Sequence, residues 1–395
     1  MKRFLAVLVA LALLAIPVFA FGQGAAALYF PGRAALEGRL PQAAEQYIAD
    51  NFPGRDTLTG WSLAIRVLGG QREYNQIFIS RDELIPVLDP PSDYQVSENT
   101  QAILEFAQQS RAPVYVMIIP TVSAIRQQNL PSFFLGQSVN QLQFIDQVYS
   151  EIYYETLGRV ITIDAYAALL SASGQYIFYR THNNLTSLGG FHIYYALGQS
   201  GRLLDGAARP SLQHYDIEHV KYNFFGDLYA RSPFQNARGD ILSIFRYRRT
   251  RPIREYIVTV HQDGQARTYH TLFPLHKLDL EGREMDIFLG GLNAKTVITT
   301  SRSPLASNLL VIGDHTALAF VPFLANHYRT VTLLDLSQMG EEEIHAVVQA
   351  MGRDFYDRIL IAYSIETYMH YPYPSRVVEL LPPPGEYWEY AEYYD

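Results

Sequence analysis

Five short runs of nearly uninterrupted apolar residues decide most of what this chain can become. They are Pro113-Val114-Tyr115-Val116-Met117-Ile118-Ile119, Val160-Ile161-Thr162-Ile163, Leu309-Leu310-Val311-Ile312, Val331-Thr332-Leu333-Leu334 and Arg358-Ile359-Leu360-Ile361-Ala362-Tyr363. A strand with one wet face alternates apolar and polar side chains, whereas a strand buried on both faces does not. Segments of helical character, at about residues 98–109, 138–157, 316–325 and 340–352, fall between these runs. Strands alternating with helices imply an α/β fold, a mainly parallel sheet of about five strands with helices on both faces.

The alternation stops between about residues 206 and 305. Arg254 to Phe273 reads as a hairpin turning at Asp263-Gly264, so this stretch is taken to be a β-containing insertion in an α/β domain spanning residues 96–381. Residues 23–95 form an N-terminal extension. Within it, residues 33–68 read as helix, with Leu36, Leu40, Ala44 and Ile48 on one stripe, interrupted by Asn51-Phe52-Pro53-Gly54-Arg55-Asp56. Ile77-Phe78-Ile79 and Leu84-Ile85 read as a hairpin around Ser80-Arg81-Asp82-Glu83, and Asp89-Pro90-Pro91-Ser92-Asp93 as a linker. Residues 382–395 are a Tyr/Glu-rich tail and a candidate contact surface. At the other end, Lys2 and Arg3 precede an apolar run from Phe4 to Phe21. Residues 1–22 therefore read as a signal peptide or an uncleaved N-terminal anchor. The expectation is an exported chain, extracellular or at the cell surface, that meets a membrane only through this segment.

Composition removes several function classes. The formal charge is 31 − 39 = −8 and no Lys/Arg block occurs, which argues against nucleic-acid binding. The chain has no cysteine, so disulfides, thiolate metal sites and a cysteine nucleophile are excluded. No phosphate loop, dinucleotide glycine pattern or zinc-protease spacing is present, and no cofactor is expected.

Two places carry chemistry. In Val311-Ile312-Gly313-Asp314-His315-Thr316 a buried strand runs through a glycine into a helix. Ligands of open parallel sheets bind beyond such strand ends, and N–H groups at the helix start could hold an oxyanion. The residue at the exposed position is His315. The second place is Tyr179-Arg180-Thr181-His182-Asn183-Asn184-Leu185-Thr186-Ser187-Leu188-Gly189-Gly190, a polar turn leading into a helix capped by Thr186 or Ser187.

With these residues in view, the chain resembles the DHHW family, a branch of the SGNH-hydrolase-like proteins related to the alginate O-acetylation proteins. The resemblance runs over most of the chain. It includes Tyr47 to Asp56, Glu73-Tyr74-Asn75, Val116 to Thr121, Phe288-Leu289-Gly290-Gly291, Gly313-Asp314, Val321 to Leu324, His327-Tyr328 and Asp335-Leu336. It implies an SGNH-like three-layer α/β/α fold. The departures are equally informative. Where the family carries Asp-His-His-Trp, this chain has His182-Asn183-Asn184-Leu185, between a matching Thr181 and a matching Leu188-Gly189. By the resemblance, the catalytic Asp and His would fall on His182 and Asn184, and the nucleophilic Ser on His315. A Gly-Gly-Asn near the oxyanion hole would fall on Gly290-Gly291-Leu292, with Asn293 one place late. An amide such as Asn184 accepts no proton near neutral pH, and His182 supplies no orienting negative charge.

Three readings follow. The first is a degenerate SGNH-like protein, not an enzyme, binding a cell-envelope glycan or a surface protein through a remnant cleft. The second is an active carbohydrate O-acetyltransferase or esterase with a rebuilt site, either His-based or metal-assisted by His182, His315 and Asp314. The third is a scaffold role resting on the insertion and the tail.

Overall fold

The computed structural model describes residues 72–81, 83–131, 138–200, 203–204, 210–234, 236–248, 255–301, 306–351 and 356–381, with isolated positions between 60 and 70 ahead of them. All belong to the unit Thr59–Asp395. The leader at residues 1–22, the Asn51–Asp56 break with nearly all of the helix expected over residues 33–68, and the tail at residues 382–395 lie outside the described residues.

The chain enters through three short antiparallel strands, β1 (Glu73–Tyr74), β2 (Ile77–Ser80) and β3 (Glu83–Pro86). The β2–β3 hairpin pairs Ser80 with Glu83 and Ile77 with Pro86, in the place the apolar alternation indicates. Helix α1 follows over Asp93–Gln109. It begins five residues before the expected start because Ser92 Oγ accepts the N–H of Gln95 at 3.3 Å, so part of the supposed linker caps the helix.

The remaining elements through the polar turn are β4 (Val114–Ile119), α2 (Val122–Ile125), α3 (Gln141–Thr156), β5 (Ile161–Thr162), α4 (Ala165–Ser171) and α5 (Ser187–Gln199). Then come β6 (Tyr215–Phe224), α6 (Asp227–Arg231), β7 (Asp240–Tyr247), β8 (Glu255–Gln262), β9 (Gln265–Tyr269) and β10 (Lys295–Ser301). The last third contributes β11 (Asn308–Gly313), α7 (Ala317–Leu324), β12 (Thr330–Leu334), α8 (Glu341–Met351), β13 (Arg358–Ser364) and α9 (Ile365–His370).

The central sheet has eight strands in the order β5-β4-β13-β11-β12-β10-β8-β9. The five apolar runs form its parallel portion, from β5 to β12. Leu309, Leu310, Val311 and Ile312 of β11 are fully buried, as a strand covered on both faces requires. Two packed groups of helices flank the sheet, α1 with α3 and α9, and α4 with α5 and α7. The stretch read as an insertion is not peripheral. It supplies β8, β9 and β10, which extend the sheet antiparallel beyond β12. Its hairpin turns at Asp263 (φ 51°) and Gly264 (φ 71°), the left-handed pair that suits a two-residue turn. From the same stretch, β6 and β7 pair separately.

Chain direction reverses around β13. The path steps from β4 outward to β5 and, on the other side, from β11 outward to β12, while β13 lies between β4 and β11. Crevices at such reversals, at the carboxyl ends of the strands, are where open α/β sheets bind ligands.

Candidate functional site

At the carboxyl end of β11 sits Asp314, buried at 7% exposure. Its Oδ1 accepts the Thr316 N–H at 3.0 Å and the Thr316 hydroxyl at 2.6 Å. Its Oδ2 accepts the Ser364 N–H at 2.8 Å and the Thr367 hydroxyl at 2.7 Å. The carboxylate thus ties the ends of β11 and β13 to α9. Burial alone would raise its pKa, but His315 and these hydrogen bonds outweigh it and hold the group below the usual carboxylate value.

The helix start next to it turns the N–H groups of residues 316–319 inward. Besides the Thr316 N–H, the Ala317 N–H donates to Asp314 O at 3.0 Å, Leu318 N–H to His315 O at 3.3 Å and Ala319 N–H to Thr316 O at 3.2 Å. These donors are consumed by the turn itself.

The polar turn after Tyr179 is held against this corner. Asp240, fully buried at the start of β7, accepts the Arg180 N–H at 2.7 Å, the Thr181 N–H at 2.8 Å and the Thr181 hydroxyl at 2.5 Å, together with the Tyr176 hydroxyl. Thr186 caps α5 by accepting the Gly189 N–H at 3.2 Å, one of the two caps expected. Gly190 then lies so close to α7 that a Cβ there would meet Ala319 O at 1.9 Å. The Leu188-Gly189-Gly190 segment therefore sets how near the two halves of the site approach.

Between these anchors the three positions that the resemblance singles out meet. Asn184 Nδ2 donates to His315 O at 3.1 Å, and Asn184 Oδ1 accepts the Leu185 N–H at 2.7 Å, so both ends of the amide are occupied. His315 Nε2 lies 3.0 Å from Asn183 O. A carbonyl only accepts, so this bond places the ring hydrogen on Nε2. His182 packs between the rings of Tyr179 and Phe224, at centroid distances of 5.9 and 5.8 Å. Its Nδ1 lies 2.9 Å from Asp227 Oδ1, an ion-pair contact whose angle falls short of a hydrogen bond. Asp227 also accepts the Asn183 N–H at 2.8 Å. Burial works to raise the Asp227 pKa, yet His182 and the Asn183 N–H bring it down to about 2. Glu366 of α9 completes the group by accepting Asn183 Nδ2 at 3.0 Å.

Asp227 and Glu366 are not visible from the sequence, because nothing local distinguishes them from other surface acids. Gly226 has a clear role here, since a Cβ on it would lie 2.4 Å from the Cβ of His182. Asn293 is not hydrogen-bonded to either imidazole among the described residues. Its Nδ2 donates to Gly291 O at 2.8 Å, and it lines a different cavity at the same edge of the sheet. The metal set His182, His315 and Asp314 is not assembled. Both Asp314 oxygens are taken by Thr316, Ser364 and Thr367, and among the described residues no three His, Asp or Glu side chains are grouped to hold an ion. Asp335 at the end of β12 accepts the N–H and hydroxyl of Ser337, at 3.0 and 2.7 Å, and so caps a turn. A cavity of about 840 Å³ opens at the opposite, amino edge of the strands beside Arg111, Arg159 and Arg358.

The fold is SGNH-like α/β, with this corner at the carboxyl edge of its sheet. The sequence model of the DHHW protein family matches residues 90–334, and the chain belongs to that family. A DHHW family protein from Eubacterium siraeum DSM 15702 is 17% identical with a TM-score of 0.61, over 78% of this chain and 96% of that one. PatB1 of Bacillus cereus is 15% identical with a TM-score of 0.57, over 74% and 97% of the two chains. It has also been solved with a sulfonyl adduct, and that structure aligns with a TM-score of 0.56 at 14% identity, over 74% of this chain and 96% of that one. At these identities the likeness shows the fold. No curated protein matches the chain in sequence.

Proposed function

We propose that this chain is an exported DHHW-family protein whose acyl-transfer machinery is degenerate and whose crevice binds a cell-envelope glycan or surface protein. One observation carries the reading. At the corner where the nucleophile, base and orienting acid would meet, neither imidazole is hydrogen-bonded to a hydroxyl among the described residues. Acyl transfer by a hydroxyl nucleophile needs that hydroxyl against its base. Asn184 is engaged at both ends, and His315 uses Nε2 to hold the Asn183 carbonyl. The serine–imidazole pair that the described residues do contain, His219 Nδ1 with Ser243 Oγ at 2.8 Å, spans β6 and β7 at an exposed position. Binding is supported by aromatic surface beside the corner. Phe225 is 42% exposed and its ring lies 4.5 Å from that of Tyr229, on either side of Gly226-Asp227. Flat apolar rings next to polar groups suit sugar faces and protein contacts.

The test is turnover of a chromogenic acetyl ester by the purified chain. The expected result is a rate no different from buffer, in wild type and in His315→Ala alike. Robust turnover that disappears in His315→Ala overturns the reading. One contact favours a second reading, an active site rebuilt around His182, because the Asp227 carboxylate lies against its Nδ1. That reading requires ester turnover with a pH profile that shifts in Asp227→Asn.

A further inference from the structure

Three strands along the sheet edge from Asp314, the end of the β8–β9 hairpin forms the wall of a cavity of about 250 Å³. This edge is shared with the corner described above. Lys295 at the start of β10 pairs with Leu334 at the carboxyl end of β12 and with His261 near the end of β8. The Ala294 N–H is fixed by Gln262 Oε1 at 2.9 Å.

Lys277, Arg267, Arg283, Tyr269, Asn293 and Gly290 are among the residues lining the cavity. Lys277 is only 7% exposed. Its Nζ lies 5.9 Å from the centre of the Tyr269 ring, and among the described residues it has no carboxylate partner. An ammonium on a largely buried stem without a counter-ion leaves its charge available to a ligand, and an aromatic face meets only part of that charge. Arg283 is committed to Asp286 at 2.6 Å. Arg267 on β9 is exposed and has no carboxylate partner among the described residues. The lining includes one acid, Asp263, so positive charge predominates in the cavity.

The aromatic wall is built deliberately. Gly290 has φ +86°, and a Cβ there would lie 2.6 Å from Tyr269 Cε2, so only glycine lets the ring sit where it does. A ring face, side-chain amides and a cation without a carboxylate partner among the described residues, in a space smaller than the roughly 300–1,000 Å³ of drug-sized sites, fit one small ring bearing a negative charge.

We infer that this cavity is a subsite for a saccharide residue carrying an anionic substituent, its charge met by Lys277 and Arg267 and its ring by Tyr269. The inference rests on the binding function proposed above and names the chemistry of what is bound. Carboxylate and phosphate substituents present the same charge to a lysine and to an arginine fork, so the experiment separates them.

The full chain is titrated calorimetrically, at low and at moderate salt, with glucuronate, glucose 1-phosphate, glucose and inorganic phosphate. The expected result is that one of the two charged sugars binds at least tenfold tighter than glucose and than inorganic phosphate. Lys277→Met is expected to remove that preference while melting at or above the wild-type temperature. Arg267→Gln, at an exposed position, is expected to weaken the charged sugar severalfold and keeps the test available should Lys277→Met fail to fold. Equal binding of glucose overturns the inference. So does inorganic phosphate binding as tightly as the sugars, or an unchanged preference in both variants. Ester turnover is measured separately on an uncharged substrate, so failure of the degenerate reading and failure of the charged subsite give different results.

Discussion

Asp314 shows how a residue at the candidate site can serve stability. Its carboxylate collects four donors from three segments. Replacing it with alanine strands two backbone N–H groups and two hydroxyls, each buried donor costing roughly 1–3 kcal/mol before relaxation. Asp314→Ala is therefore expected to lose about 3–5 kcal/mol in urea denaturation, and Asp314→Asn less, because the amide keeps one acceptor. Asp227 acts in the opposite regime. Its side chain is 46% exposed, so its contact with His182 is screened. Its pKa drops from 3.8 to about 2 on folding. The stability it adds is fully present above pH 3.8 and is lost as pH falls from there towards about 2. Asp227→Asn should lower stability by under about 1 kcal/mol in the neutral range, where this contribution is present, and converge with wild type as pH falls towards about 2, so that thermal melts at stepped pH show a flatter acid limb.

At the level of elements, Gly226 at the start of α6 gives the sharpest prediction. Its φ is −98°, which alanine tolerates, so only the space is lacking. Gly226→Ala should push the imidazole of His182 out of the gap between Tyr179 and Phe224, costing about 1–3 kcal/mol by overpacking. Thermal unfolding measures the cost, and imidazole nitrogen chemical shifts report the loss of the Asp227 contact. The parallel strands were legible in the sequence because burial on both faces writes continuous apolar runs such as Leu309 to Ile312. Strands β8 and β10 were not placed in the same sheet, because their half-exposed faces alternate and alternation does not say which partner a strand takes. At the site, His182, Asn184 and His315 could be read from the family frame. Asp227 and Glu366 could not. They reach Asn183 from 44 and 183 residues away, and no local pattern encodes a contact at that separation.

Across the whole molecule, the order of strands carries a consequence for how the chain is made. The strand joining the two flanks of the sheet, β13, begins at Arg358, after every other strand. Until it leaves the ribosome, β5–β4 and β11–β12–β10–β8–β9 have no ladder between them. A chain shortened ahead of Arg358 should fail to give the cooperative urea transition of the full chain and should be cut by trypsin at concentrations the full chain resists. Completion of the central layer thus falls after most of the chain has been synthesised, and its two flanks can be joined only once this final keystone has emerged.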